Sequence, residues 1–177
     1  MGTCRQNVPA GPAGRRRDRP RRFAEIRGQD HVVAALRNAV SEDRVHHPYL
    51  LSGPRGTGKT TAARILAKAL NCTALADGEP CCGCESCIAI DAGRSFDLHE
   101  LDAASNNKVD DIRDLLAKVA LGTPGRTKVY LLDEVHMLTP GAENALLKTL
   151  EEPPGHVVFV LATTEPHKVV QTIRSRS

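Results

Sequence analysis

A glycine-rich stretch, GPRGTGKT over 53–60, has the residue types and spacing of a phosphate-binding loop. The apolar run 49–51 precedes it and a helical pattern over 62–70 follows it, which is the strand–loop–helix context that the motif requires. An ordinary glycine-rich turn before a helix is the alternative, and these flanks disfavour it. In a phosphate-binding loop, backbone N–H groups point into one concavity and the helix adds the positive end of its dipole. The residues predicted to hold a nucleotide are Gly53, Gly56, Thr57, Gly58, Lys59, Thr60 and Thr61.

Two acids at the end of a later apolar run complete this predicted site. Asp133 and Glu134 follow the run 128–132 directly. Lys59 is expected to reach the outer phosphates, and Thr60 is expected to hold Mg²⁺ together with Asp133. Glu134 is expected to orient and polarise the water that attacks the terminal phosphate. The alternative is that two acids simply end a strand, and the phosphate-binding loop upstream disfavours it.

A pair of threonines, Thr163 and Thr164, follows the last strongly apolar run at 156–162. A hydroxyl there could contact the terminal phosphate or the attacking water. A threonine pair that starts a turn is an equally good explanation on local grounds. Both interpretations stay open from the residues alone.

Four of the six cysteines have the spacing of a metal site. They are Cys72, Cys81, Cys84 and Cys87. Two overlapping C-x-x-C units with one outlying cysteine are typical of a structural zinc site with four thiolates. An iron–sulfur cluster and disulfides are the alternatives, and disulfides are rare in the cytosol, where a phosphate-binding ATPase without a signal peptide is expected. Cys82 duplicates a ligand position and is an alternative to Cys81 as a ligand, whereas Cys4 is expected to be free.

Periodicity predicts alternating helices and strands along the rest of the chain. Apolar stripes at helical spacing predict helices over about 30–43, 62–70, 109–119 and 142–150. Apolar or alternating runs predict strands over 49–51, 96–101, 128–133 and 156–162. This alternation indicates an α/β fold, in which helices flank a parallel sheet.

The composition is that of a globular protein, with 41% hydrophobic and 25% charged residues. No apolar run approaches the roughly 18 residues of a membrane span, and no apolar segment of a secretory signal follows the basic N-terminus. We therefore expect a cytoplasmic protein without a membrane partner. Residues 1–18, rich in arginine towards their end, are expected to form a disordered basic tail, with contact to nucleic acid or nucleotide as the alternative. The adjacent pair His46–His47 is interpreted as structural.

Longer stretches of the sequence resemble one family. They include RPRRFAEIRGQDHV, HHPYLLSGPRGTGKTTAARILAKALNC, CCGCESC, DAASNNKVDDIRDLL, KVYLLDEVHMLTPGAENALLKTLEEPPGHVVFVLATTEPHKV and IRSRS. Over about 19–177 the chain is similar to the ATPase domain of the gamma/tau subunits of bacterial DNA polymerase III, the motor subunits of the sliding-clamp loader. The cysteine segment after the phosphate-loop helix is the most specific part of this resemblance.

The resemblance implies an AAA+ P-loop NTPase domain over 19–177 with a zinc-binding insert over about 72–91. It implies ATP, Mg²⁺ and Zn²⁺ as cofactors. The implied partners are the other clamp-loader subunits in a ring, the sliding clamp, primer–template DNA and the polymerase core. ATP binding would let the ring grip and open the clamp, and hydrolysis would release it on DNA, while partner subunits polymerise nucleotides.

The same resemblance assigns roles to two further positions. Thr164 matches the family's sensor residue, and Arg176 matches an arginine finger that acts in trans on the ATP of a neighbouring subunit. The sequence departs from the family pattern at Ser177, where Cys is usual, at Arg174, where Leu is usual, and at 18–20, which lies near the adenine in the family. The family's fifth strand, helical lid and collar domain have no counterpart in these 177 residues. The sequence is therefore expected to be a fragment whose phosphate-loop strand forms an open edge.

Two other functions are alternatives. One is a nucleotide-binding scaffold that does not hydrolyse ATP. The complete set of Lys59, Thr60 and the two acids disfavours it, whereas the missing lid and fifth strand favour it for this fragment. The other is a different AAA+ ATPase, such as a Holliday-junction motor or a helicase loader, and the four-cysteine insert disfavours it.

Overall fold

The structure, a computed structural model, describes residues 19–45, 48–122 and 124–175. Its strands are β1 (Tyr49–Ser52), β2 (Leu98–Asp102), β3 (Lys128–Asp133) and β4 (Val157–Thr163). The helices of these residues are α1 (Asp30–Ser41), α2 (Lys59–Leu70), α3 (Glu85–Asp91), α4 (Val109–Val119), α5 (Pro140–Glu151) and α6 (Gln171–Arg174). Single 3₁₀ turns cover Phe23–Glu25, Val135–Met137 and Pro166–Lys168.

The four strands form one parallel sheet in the order β1-β4-β3-β2. Leu51 of β1 lies opposite Ala162 of β4, and Leu131 of β3 lies opposite Val160 of β4. The predicted α/β fold with a parallel sheet is confirmed. Among the described residues β1 pairs with β4 alone, so the strand before the phosphate loop lies at an edge of the sheet, as expected.

Helices cover the sheet on both faces, which explains why its central strands are apolar without alternation. Val129 and Leu131 of β3 point into the core formed with α1 and α2. Tyr130 and Leu132 alternate with them and point into the core formed with α4 and α5. All seven residues of β4 are buried. Both faces of the sheet therefore contribute apolar burial to the stability of the domain.

The strand predicted over 96–101 begins later than expected, at Leu98. Phe96 is 86% exposed, whereas Asp97 is only 4% exposed, which reverses the burial that the alternation predicts. The reason is a buried polar contact: the Asp97 carboxylate lies 2.5 Å from the Arg126 guanidinium, and the Asp97 carbonyl accepts the Val129 N–H at 2.8 Å. An ion pair from a distant loop therefore outweighs the local pattern at this strand start.

Other predictions fall on residues outside the described ranges. They are the basic tail at 1–18, with Cys4, and the histidines His46 and His47. Within the described ranges, no helix has both the length and the apolar character that a membrane crossing requires.

Candidate functional site

Three polar segments meet at the carboxyl edge of the sheet. The phosphate-loop segment 53–58 follows β1. Asp133 ends β3 and Glu134 follows it, and Thr163 ends β4 and Thr164 follows it. Because β4 lies between β1 and β3, its end joins the other two segments. The Gly53 N–H donates to the Thr163 carbonyl at 3.2 Å, which ties the loop to this edge. Ligands of open α/β sheets bind at such carboxyl edges.

The phosphate loop turns directly into α2. Gly56 and Gly58 have φ values of +83° and +88°, in the left-handed region that only glycine adopts without strain. Lys59 is the first residue of α2, and its side chain is 7% exposed. The Lys59 ammonium donates to the carbonyls of Gly53 at 2.7 Å and Pro54 at 2.8 Å. The structure thus brings the predicted lysine inside the loop that is predicted to bind phosphate.

Threonine hydroxyl groups lie near Lys59 in sequence, on the loop and on the first turn of α2. The Thr57 hydroxyl donates to the Pro54 carbonyl at 2.8 Å. Thr60 and Thr61 lie on the first turn of α2, and both are half-buried. The Thr60 hydroxyl lies 3.3 Å from a carboxylate oxygen of Asp133. A hydroxyl and a carboxylate at this separation are the hard oxygen ligands that Mg²⁺ prefers, so the residues present fit that ion.

Glu134 has an unusual backbone and a tightly held carboxylate. Its φ of 53° and ψ of 45° lie in the left-handed region, which for a residue other than glycine requires support from the surrounding structure. The Thr164 hydroxyl donates to Glu134 Oε2 at 2.9 Å, and the Thr164 N–H donates to it at 3.3 Å. Arg55 Nε lies 3.4 Å from the other oxygen, Oε1. The structure therefore joins Glu134 and Thr164, which are 30 positions apart in sequence.

These contacts set the charge of Glu134. Partial burial of its carboxyl favours the neutral acid, but the hydrogen bonds from Thr164 and the nearby Arg55 oppose this effect. Their combined effect lowers the pKa of Glu134 below its ordinary value. The carboxylate is therefore ionised at neutral pH and can accept a proton or a hydrogen bond from water.

Sequence reasoning missed three residues that contact this site. Arg55 contacts Glu134 from the phosphate loop, although its side chain is 86% exposed. His136 Nδ1 lies 2.8 Å from the Thr163 hydroxyl, and its Nε2 lies 3.1 Å from Glu165. The available signal was the position of His136, two residues after Glu134 at a strand end. Nothing in the local sequence indicates that Glu165 would be its partner.

The four predicted metal ligands form a second cluster beside α2. The sulfur atoms of Cys72, Cys81, Cys84 and Cys87 all lie within 4.8 Å of one another. Backbone N–H groups donate to these sulfurs, for example from Cys81 to Cys72 at 3.2 Å and from Cys84 to Cys81 at 3.2 Å. Four converging sulfurs with supporting N–H donors fit a tetrahedral Zn²⁺ with no open position.

Two of these thiols differ in their tendency to ionise. Burial raises the pKa of Cys87, and the hydrogen bond with Cys84 raises it further. Burial also opposes ionisation of Cys84, but the backbone N–H groups of Cys87 and Thr73 outweigh it and lower the pKa of Cys84 to about 6. Of this pair, Cys84 is therefore the thiol that ionises more readily.

Cys82 does not belong to the cluster, which favours Cys81 over Cys82 as the ligand at this position. Its backbone has a φ of 61°, and its side chain turns away from the four sulfurs. The Cys82 sulfur lies 3.3 Å from the Arg21 carbonyl and 4.0 Å from the Lys68 ammonium, and the residue is 6% exposed. The duplicate cysteine therefore packs against the body of the domain.

The same contacts anchor the cysteine segment to α2. Lys68 of α2 is 1% exposed, and its ammonium lies 2.9 Å from Asp91 at the end of α3 and 2.7 Å from the Arg21 carbonyl. The Arg21 guanidinium also contacts the Asp91 carboxylate, at 2.9 Å. The helix that begins at the phosphate loop therefore holds the cysteine segment at its other end.

The predicted finger residue Arg176 and its neighbour Ser177 lie outside the described residues. Arg174 is described: it is the exposed last residue of α6.

Comparison with known proteins finds similarity to subunits of DNA polymerase III. The family model described as DNA polymerase III, delta subunit, matches residues 28–177. The tau subunit of DNA polymerase III from Bacillus subtilis (strain 168) is 56% identical over 159 residues, which cover 89% of this chain and 28% of that protein. The tau subunit from Escherichia coli (strain K12) is 56% identical over 162 residues, covering 91% of this chain and 25% of that protein. The chain thus spans about a quarter of the length of these relatives.

Solved structures show the same fold. The Thermotoga maritima RuvB Holliday junction branch migration motor has a TM-score of 0.60 at 25% identity, covering 89% of this chain and 46% of that chain. A DNA polymerase III gamma subunit-related protein from Thermotoga maritima has a TM-score of 0.55 at 22% identity, covering 81% of this chain and 43% of that chain. The chain therefore has the AAA+ P-loop fold and belongs to the family of DNA polymerase III subunits, with tau and gamma subunits among its relatives.

Proposed function

We propose that the chain is the ATP-binding and ATP-hydrolysing domain of a DNA polymerase III clamp-loader subunit. The observation that carries this proposal is the convergence of Lys59, the Thr60–Asp133 pair and the Glu134–Thr164 pair at one sheet edge. These are the parts that phosphoryl transfer to water requires: a cation for the phosphates, oxygens for a metal ion, and a carboxylate for the water. The domain would extend over 19–177 and carry the cysteine segment at about 72–91 as an insert.

Each part has a role in this reaction. The N–H groups of the loop Gly53–Thr60 and the N-terminus of α2 would hold the phosphates of ATP. The Lys59 ammonium, now on the loop carbonyls, would contact the outer phosphates. Thr60 and Asp133 would hold Mg²⁺, which when bound neutralises charge on the phosphate oxygens.

Glu134 would accept a hydrogen bond from the attacking water and orient it towards the terminal phosphate. Its contacts with Thr164 restrict the carboxylate to one direction, so the rate would depend on positioning more than on proton affinity. Arg176, at the predicted finger position, would act on the ATP of a neighbouring subunit and stabilise charge in the transition state.

The biological role that we propose is that of the tau and gamma relatives. The subunit would work in a ring with other clamp-loader subunits, contact the sliding clamp, primer–template DNA and the polymerase core, and load the clamp in the cytoplasm. Cys72, Cys81, Cys84 and Cys87 would hold a structural Zn²⁺.

The test uses the full-length subunit in its ring, with clamp and primed DNA. We expect Lys59→Ala to abolish productive ATP binding, because the loop loses its cation. We expect Glu134→Gln to bind ATP with parental affinity and to stop turnover. The matched controls are Lys148→Ala and Glu152→Gln, which change exposed residues on and after α5. Hydrolysis at the parental rate in Glu134→Gln would contradict the assignment.

Two alternatives make different predictions in the same assay. A scaffold would bind ATP and give no turnover in the parent ring. The likeness to the RuvB motor, with its TM-score of 0.60, favours a Holliday-junction motor as the other candidate. Such a motor would move four-way junctions and would not be stimulated by clamp and primed DNA. The 56% identity to tau subunits favours clamp loading.

A further inference from the structure

His136 is a buried histidine beside Glu134 that none of the roles above uses. It lies on the 3₁₀ turn Val135–Met137, directly after β3, and its side chain is 6% exposed. Nδ1 lies 2.8 Å from the Thr163 hydroxyl, and Nε2 lies 3.1 Å from a carboxylate oxygen of Glu165. Both ring nitrogens therefore contact the end of β4, where Thr164 holds Glu134.

The hydrogen-bond partners of the His136 imidazole select one tautomer. The hydrogen bond from Lys168 lowers the pKa of Glu165, so this carboxylate is ionised and can only accept a hydrogen bond. His136 Nε2 must therefore carry the proton that it donates to Glu165. The Thr163 oxygen accepts the Glu165 N–H at 3.0 Å, and in the Nε2–H tautomer the unprotonated Nδ1, 2.8 Å away, is an acceptor for the Thr163 hydroxyl hydrogen. In this arrangement every donor has an acceptor.

The His136 imidazole also restricts the position of the Glu134 carboxylate. His136 Nδ1 lies 3.5 Å from Glu134 Oε2, the same oxygen that accepts the Thr164 hydroxyl. His136 therefore connects the turn that follows Glu134 with Thr163 and Glu165, the residues on either side of Thr164. Because Glu134 has a left-handed backbone, it depends on such support to keep its conformation.

We propose that His136, held as its Nε2–H tautomer by Thr163 and Glu165, is a positioning residue that fixes the direction of the Glu134 carboxylate. This inference rests on the proposed ATP hydrolysis and deepens it. We assign His136 no contact with the phosphates or the attacking water: it acts on Glu134 through its contacts with Thr163 and Glu165.

The first experiment separates catalysis from binding in the full-length subunit within its ring. We expect His136→Ala to lower kcat about 100-fold, because a displacement of about 1 Å at a catalytic group costs on that order. The Kd for ATP should stay within about twofold, since His136 does not contact the phosphate loop. The matched control is His156→Ala, which removes a histidine bonded to the Val119 carbonyl at 3.2 Å at the opposite end of β4. Parental kcat in His136→Ala would overturn the inference.

The second experiment tests whether His136 and Glu165 act as one unit. Glu165→Leu removes the acceptor for Nε2–H and should lower kcat as His136→Ala does, with no further loss in the double variant. Glu165→Gln keeps an acceptor oxygen and should restore most of the rate. Additive losses in the double variant would overturn the inference. If His136→Ala does not fold, the kcat of Glu165→Leu tests the inference instead.

A third measurement does not depend on hydrolysis. Long-range ¹H–¹⁵N spectra of the chain, labelled on histidine, report which ring nitrogen carries the proton. We expect the Nε2–H tautomer for His136, and an Nδ1–H tautomer would overturn the inference.

The outcomes also distinguish this inference from the proposed function. A parent ring without ATPase activity would overturn both proposals. Loss of activity in Glu134→Gln with parental activity in His136→Ala would overturn only the role of His136.

Discussion

At the scale of residues, the two threonines at the end of β4 have different partners. Thr163 contacts His136, whereas Thr164 contacts Glu134. In the local sequence the pair predicts only a turn rich in hydroxyl groups. The two side chains reach different partners because they lie on opposite sides of the extended backbone. The direction of Glu134 thus depends on a neighbouring strand as well as on the residues next to it in sequence.

We predict that Thr164→Val slows ATP hydrolysis about tenfold or more in the assembled ring. The variant loses the hydroxyl that donates to Glu134 at 2.9 Å, and a hydrogen bond to a charged group contributes about 1.5–3 kcal/mol. Thr164→Ser keeps this donor and should retain most of the activity. The prediction is checked by measuring single-turnover hydrolysis and ATP affinity for both variants. Equal rates for Val and Ser at this position would contradict the role of the hydroxyl.

At the scale of elements, α2 links the two sites of the domain. Its N-terminus begins at Lys59 in the phosphate loop, and Lys68 near its C-terminus anchors the cysteine segment through Asp91. A buried ammonium is tolerated there because it has a carboxylate and a backbone carbonyl as partners. The cysteine segment is therefore packed against the helix on which nucleotide binding depends.

We predict about one zinc per chain, held by four thiolates. The double variant Cys84→Ser/Cys87→Ser should lose the metal, because it removes two of the sulfurs that lie within 4.8 Å of one another. Cys82→Ser is the matched control and should keep it, since that sulfur contacts the Arg21 carbonyl instead. Elemental analysis of the purified chains measures both. Zinc loss in Cys82→Ser, or a folded parent without metal, would refute the assignment.

At the scale of the whole molecule, an aromatic row crosses the sheet on the face covered by α4 and α5. His99 stacks on Tyr130 with ring centroids 4.7 Å apart, and Tyr130 lies 5.7 Å from Phe159. Among the described residues, His99 Nε2 has no hydrogen-bond partner, although it is buried. Burial of the ring and the nearby Lys128 lower the pKa of His99. The folded domain therefore resists protonation at this position.

We predict that the domain loses stability as the pH falls below about 6.5, the ordinary pKa of histidine in an unfolded chain. The unfolded chain takes up a proton there, while folded His99 stays neutral until a lower pH, so stability declines through this window. His99→Phe keeps the stacking and cannot titrate. The free energy of unfolding in urea at pH 7.5 and 5.5 should therefore change less in His99→Phe than in the parent.

The control for this prediction is His31→Gln, which changes an exposed histidine on α1. It should keep the pH dependence of the parent. An equal pH dependence in the parent and in His99→Phe would contradict the prediction.

Much of the fold and of the candidate site could be predicted from local sequence. These features depend only on the residue types and their spacing within one element. The phosphate loop, the acids after β3 and the four cysteines lie within short segments, and their backbone geometry follows from glycine, strand ends and tight turns. The parallel sheet follows from the alternation of helices and strands. The start of β2 could not be predicted, because Asp97 is buried by Arg126, which lies 29 positions away.

The residue types that this domain offers to a nucleotide and to a metal can be identified in the sequence alone. Their partners depend on the folded chain: His136 contacts Thr163 across 27 positions, Arg55 contacts Glu134 across 79, and Cys82 contacts Arg21 across 61. The physical reason is that side-chain partners depend on which strand ends become neighbours and which faces are buried. Periodicity and motif spacing describe one element at a time, whereas these contacts join elements that only the strand order β1-β4-β3-β2 brings together.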